Sequence, residues 1–219
     1  MKKAILISIR PEWVAKILNG EKTIEIRKTM PKCRFPIDVY IYCSKGKSLQ
    51  ECEFWSFEYP GSFKAFVAFS EEFPVGKEQF FLVEKDSLEF DGDYLATIGE
   101  KVRQEINDFE SSSFEASPSV NGKVVAKFTL NKIENFVNGM NELEREWDGK
   151  PDAEYDYFAY EKALEKACLT YEEADKYCPD QSFYAWHISD LEVFDEPKEL
   201  DEFGLKRAPQ SWQFVEVEK

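Results

Sequence analysis

The 219-residue sequence predicts an α+β protein. Three observations lead there. Apolar runs of strand length recur along the chain, at 4–9, 37–43, 63–69, 123–130 and 182–189. Helical spacing separates some of them, beginning with Val14, Ile17 and Leu18 at i, i+3 and i+4. Hydrophobic residues make up 43% of the chain and aromatics 16%, which supplies a packed core and argues against disorder.

The N-terminal quarter is the most legible stretch. Ala4 to Ile9 has the length of a buried strand. Pro11 suits a helix start, where its missing amide has no partner to lose. Asn19-Gly20 ends that helix, with Gly20 free to adopt the left-handed conformation. Thr23-Ile24-Glu25-Ile26-Arg27 alternates, so Ile24 and Ile26 point one way and Thr23, Glu25 and Arg27 the other. Lys22 stands at the entrance, so a Lys, a Glu and an Arg converge beside a helix end. Pro31 and Pro36 bracket a basic loop, and Ile37 to Cys43 is a β-branched and aromatic strand.

Later elements are read with less local help. Phe63–Phe69 and Gln79–Val83 have strand composition. Leu95, Ile98, Val102 and Ile106 suggest a helix from Tyr94 to Phe109. The Ser-rich stretch 111–119 reads as a mobile loop. Lys123 to Leu130 is a strand, continued with a bend to Val137. From Gly139 to Leu169 the chain turns acidic and helical, with Tyr157, Tyr160, Leu164 and Ala167 on one face. Thr170 and Glu173 form a capping box for a short helix stopped by Pro179. A strand at 182–189 continues after a kink at Asp190, one helical turn packs Leu200 and Phe203, and Gln213 to Val217 closes the chain.

The order strand, helix, then Gly20-Glu21-Lys22-Thr23-Ile24-Glu25-Ile26-Arg27 resembles the ASCH family of PUA-like proteins. The wording of Val39 to Tyr42, Gly122 to Phe128, Ala185 to Ile188 and Pro209 to Trp212 is similar to ASCH proteins of bacterial and phage type. The resemblance covers about residues 4–44, 121–137 and 170–217. It implies a PUA-like mixed β-barrel with flanking helices, a single domain over 1–219, and insertions at about 48–120 and 138–169.

The net charge, 28 minus 43, is −15, but it is unevenly spread. Residues 1–50 hold eleven Lys or Arg and four Asp or Glu, a net of +7; residues 51–219 hold seventeen and thirty-nine, a net of −22. Phosphate contacts dominate nucleic-acid binding, so the basic first quarter is where an anionic ligand is welcome. Five cysteines at irregular spacing, without a C-x-x-C, read as free thiols in a reducing compartment. One histidine in the chain gives little support for a zinc site, and no metal or cofactor is expected. The apolar N-terminal run is cut short by Arg10, Pro11 and Glu12, unlike a secretory signal, and a cytoplasmic location is expected. No P-loop, H-E-x-x-H or G-x-S-x-G motif occurs, which excludes several enzyme classes.

The expected function is binding of RNA or a nucleotide-like ligand beside the motif. Bases stack on aromatic rings while phosphates meet Lys and Arg. The expected ligand residues are Arg10, Lys22, Thr23, Glu25, Arg27, His187, Ser211 and Trp212, with Lys28, Lys206 and Arg207 as further cations. The alternative is an enzyme, a hydrolase of modified nucleosides or a ribonuclease, with Lys22 and Glu25 catalytic. The resemblance implies a motif lysine and a threonine nucleophile for relatives that hydrolyse acylated cytidines. Lys22 matches the lysine, but Glu25 stands at the threonine's place, which departs from that mechanism. A third reading is a protein-interaction module that works through the acidic helices.

Overall fold

A computed structural model describes residues 1–56, 61–75, 79–84, 87–90, 94–108, 112–141 and 157–218. Strand and helix occur together, as the α+β class requires. The chain divides into two compact units, the first Met1–Glu21, Val39–Lys127 and Leu191–Lys219, the second Lys22–Asp38 and Phe128–Asp190.

The first unit begins with β1 (Lys2–Ile9) and α1 (Pro11–Leu18). Gly20 takes the left-handed conformation at the helix exit, φ 75°. In the second unit β2 (Ile24–Arg27) follows, and β3 (Ile37–Cys43) then runs parallel to β1. The segment for which the sequence offered fragments is a closed barrel. Its strands are β4 (Ser48–Ser56), β5 (Ser62–Phe69), β6 (Gln79–Glu84), β7 (Ser87–Phe90), β8 (Tyr94–Thr97) and β9 (Ser112–Ala116), in the order β4-β5-β8-β7-β6-β9.

Two expectations are corrected here. Residues 94–97 are strand β8, and the helix, α2, spans only Glu100–Asp108. Leu95 and Ile98 match helical spacing, but β8 pairs with β5 and β7, and ladder bonds override a four-residue periodicity. Within the Ser-rich stretch, 117–119 are loop as expected, while residues 112–116 are likewise a strand, β9, paired with β4 from Cys52↔Ala116 to Ser56↔Ser112. Phe114 gives it a side chain for the core, and its backbone bonds depend on partners distant in sequence.

That core is aromatic. Phe54 and Phe114 stack at 5.4 Å between centroids, and Phe73 lies 4.8 Å from Phe114. Val102 and Ile106 of α2 cover the same cluster. Gln50 is fully buried yet satisfied: its amide nitrogen donates to the Phe73 and Ser117 carbonyls, and its oxygen accepts from the Phe73 amide.

Strand β10 (Val124–Leu130) follows, then β11 (Ile133–Val137) and β12 (Met140–Asn141). β10 and β11 are not one bent strand but belong to different sheets. Of the acidic stretch 139–169, residues 142–156 lie outside the described residues, and α3 spans Tyr157–Lys166. Then α4 (Tyr171–Tyr177) is opened by the expected capping box of Thr170 and Glu173. The chain ends with β13 (Phe183–His187), β14 (Ser189–Lys198), a 3-10 turn at Leu200–Phe203 and β15 (Trp212–Val217).

The first unit's open sheet is ordered β14-β10-β3-β1-β15. It is mixed, because β15 pairs antiparallel with β1 while β3 pairs parallel. The second unit's sheet is ordered β12-β11-β13-β2. Its core joins Ile24, Ile26, Phe136, Phe183 and Ala185 to Tyr160, Ala163 and Leu164 of α3.

Candidate functional site

The motif crosses from one unit to the other between Glu21 and Lys22. In the first unit, Asn19 holds the end of α1 to β5: its side-chain oxygen accepts from the Phe66 amide, and its nitrogen donates to the Phe66 carbonyl. The Glu21 carboxylate lies against Gly99 at the start of α2. Burial raises its pKa, against the Lys16 charge and the Lys101 and Val102 amides, which favour the charged form.

In the second unit the backbone of Thr23 is pinned on both sides. Its amide donates to the Lys166 carbonyl at 2.9 Å, and its carbonyl accepts from the Ile188 amide at 2.9 Å. The ends of α3 and β13 thereby place Lys22 and β2. The Lys22 ammonium donates to the Ala167 carbonyl at 2.7 Å and lies 3.4 Å from a Glu25 carboxylate oxygen. The other Glu25 oxygen is 2.9 Å from the Arg27 guanidinium. Residue exposures are 3% for Lys22, 7% for Glu25 and 8% for Arg27. Burial lowers the Lys22 pKa even though Glu25 favours its charged form.

Thus Lys22, Glu25 and Arg27 are brought together, as the strand alternation predicts. Thr23 is exposed beside them. His187 is in the same unit on the other face of the sheet. It pairs with Ile24, whereas Glu25 pairs with Trp186, and successive residues alternate faces. Its ring nitrogen meets Glu134 at 2.6 Å, and Lys132 holds the other Glu134 oxygen at 2.8 Å. Burial alone would raise the Glu134 pKa, but these partners together outweigh it and lower it.

Arg10, Ser211 and Trp212 belong to the first unit. The Arg10 carbonyl starts α1 by accepting from the Trp13 and Val14 amides, while its residue is exposed. The Ser211 carbonyl accepts from the Ser8 amide, and Trp212 pairs with Ile7. These three residues gather at the end of β1.

Tyr177 was missed by sequence reasoning. It ends α4, and its ring lies beneath the Lys28 ammonium at 4.9 Å. Burial raises the pKa of its hydroxyl, while Arg27 acts to lower it and Glu25 to raise it. A tyrosine near a helix end has no motif to mark it. Only the spatial meeting of α4 with the exit of β2 reveals it.

The fold and this group of residues define an α+β protein with an open mixed sheet, a closed antiparallel barrel and a buried ionic group on a motif strand. No protein-family model and no curated protein sequence matches the chain. Among solved structures it is similar to the crystal structure of ASCH from Zymomonas mobilis, at 14% identity and a TM-score of 0.48, over 97% of this chain and 87% of that one. It is also similar to a single-residue mutant of that protein, at 14% identity and a TM-score of 0.46, over 98% of this chain and 91% of that one. At this similarity the functional reading rests on the chain's own residues. Among the described residues, no helix is long and apolar enough to cross a membrane.

Proposed function

We propose that the protein binds RNA or a nucleotide-like anion beside the motif, with Arg27 and Lys28 as its charged floor and rim. The observation that carries this reading is local charge. Residues 22–38 hold five Lys or Arg against two Asp or Glu, in a chain whose net charge is −15. Lys28, Lys32 and Arg34 in this stretch are exposed, so their charge is available to a phosphate. Glu25 fixes Arg27 in one orientation, and a fixed planar guanidinium suits a phosphate better than a mobile one. Thermal-shift titration with adenosine 5′-monophosphate and an unstructured RNA 10-mer tests the reading. Stabilisation of the wild type that disappears in Arg27→Gln and Lys28→Gln is the expected result. No shift in the wild type, or equal shifts in all three proteins, would sink it.

A hydrolytic reading, for a modified nucleoside or for RNA, is favoured by one observation. Burial pushes Lys22 toward its neutral form beside Glu25, which is the kind of pair that moves protons. RNA cleavage that survives in Glu25→Gln would count against it.

A further inference from the structure

The ring of Tyr177 is not a core ring. The residue is 40% exposed, although tyrosine carries a large apolar face. Among the described residues it has no aromatic neighbour, unlike Tyr160 on the preceding helix, which contacts Phe136 and Phe183. What holds it is the motif strand's exit. Lys28 covers its ring, and the Lys28 backbone amide, Arg27 and Glu25 all act on its hydroxyl. The helix that carries it is fixed by the Thr170–Glu173 capping box and by Ala174 and Cys178, both buried in the core. A partly exposed aromatic ring, with Lys28 over one face, is therefore held next to two cations.

We propose that Tyr177 is the stacking platform for a heteroaromatic base whose phosphate is met by Lys28 and Arg27. This rests on the function proposed above and names the half of the ligand that the basic residues cannot select. A cation alone recognises any phosphate. A cation beside a partly exposed ring prefers one attached to a planar base, because stacking is gained only when the base is present. Lys28 attracts both partners: the ring through its negative face and the phosphate through charge.

Two sources supply this chemistry, a free mononucleotide and a nucleotide within an RNA strand. Isothermal titration of wild type, Tyr177→Ala and Tyr177→Phe with adenosine 5′-monophosphate, ribose 5-phosphate and an oligoadenylate 10-mer separates them. Tyr177→Ala is expected to weaken the base-containing probes about tenfold, the effect of losing one base–aromatic stack. Tyr177→Phe should retain affinity within about twofold, since the ring remains. Ribose 5-phosphate should bind wild type and Tyr177→Ala alike. Loss confined to the 10-mer assigns the ring to RNA, and loss confined to the monophosphate assigns it to free nucleotide. Tyr177→Ala that binds both base-containing probes like wild type overturns the stacking role alone, provided Arg27→Gln still loses them. Equal losses for ribose 5-phosphate overturn it too. A wild type that binds none of the probes removes both proposals.

Discussion

The two units bury polar side chains in contrasting ways. In the barrel of the first unit, Gln50 is neutral and its amide group is hydrogen-bonded to three backbone groups. In the second unit, Lys22 just before β2 and Glu25 and Arg27 on it bring three ionisable groups into a buried setting, with both cations paired to Glu25. The amide fixes the approach of the 73 and 117 loops to the barrel end and needs nothing further. Burial lowers the Lys22 pKa in the ionic group, so its burial is costly in a way that Gln50's is not. A neutral buried amide shapes a core. A buried ionic group ties stability to protonation as well.

The comparison breaks most visibly at Glu25. Glu25→Leu leaves two cations buried without their shared carboxylate, and a loss of about 3–5 kcal/mol is expected from denaturant unfolding. Adding Lys22→Met to that variant should recover part of the loss, whereas additive losses would show that the two charges do not act as a pair. Gln50→Leu is expected to cost about 3 kcal/mol, because the Phe73 amide and two carbonyls lose their partner. An unchanged unfolding midpoint would mean that water replaces the amide.

A smaller effect is expected at Gly99. A methyl there would sit 1.6 Å from a Glu21 carboxylate oxygen. The carboxylate can swing away, so Gly99→Ala should cost about 1 kcal/mol, the value of a lost helix cap. Thermal unfolding compared with Glu21→Gln checks it: similar losses that do not add would place both residues in one contact.

The smallest effect at neutral pH is in proton linkage, and the two units again differ in sign. Burial pushes the Cys43 thiol of the first unit up to about 12. The folded thiol holds its proton more tightly than the unfolded one at 9.0, so its stabilisation is full below about pH 9 and is lost as pH rises through about 12. Lys22 of the second unit is shifted the other way, below 10.5. There the unfolded chain binds the extra proton, so in the window below 10.5 the Lys22 contribution to stability rises with pH. Subtracting the pH–stability curve of Lys22→Met from that of wild type should leave this positive slope. A flat difference would show that Glu25 compensates the burial fully.

Much of the fold and part of the site were legible in the sequence for a common reason. Pro11, Asn19-Gly20 and the alternation of 23–27 act through neighbouring residues, so α1, its exit and the facing of Glu25 and Arg27 were readable. The Thr170–Glu173 box was readable on the same ground. Residues 94–97 and 112–116 were misread because their strand state depends on β5, β7 and β4, far away in the chain. His187 stands near Glu25 when the sheet is imagined, but register puts it in line with Ile24 and turns it to the other face.

What the sequence by itself determined is therefore the local grammar: where α1 begins and ends, which face of β2 carries the charges, and where helix α4 starts. Only the tertiary structure decided that Lys22, Glu25 and Arg27 are buried, that Glu21 sits at the start of α2, and that Tyr177 stands under Lys28. Local rules fix dihedral angles and facing over a few residues. Burial, pKa and the meeting of an aromatic ring with a cation depend on what is packed alongside, which the order of residues within one segment does not specify.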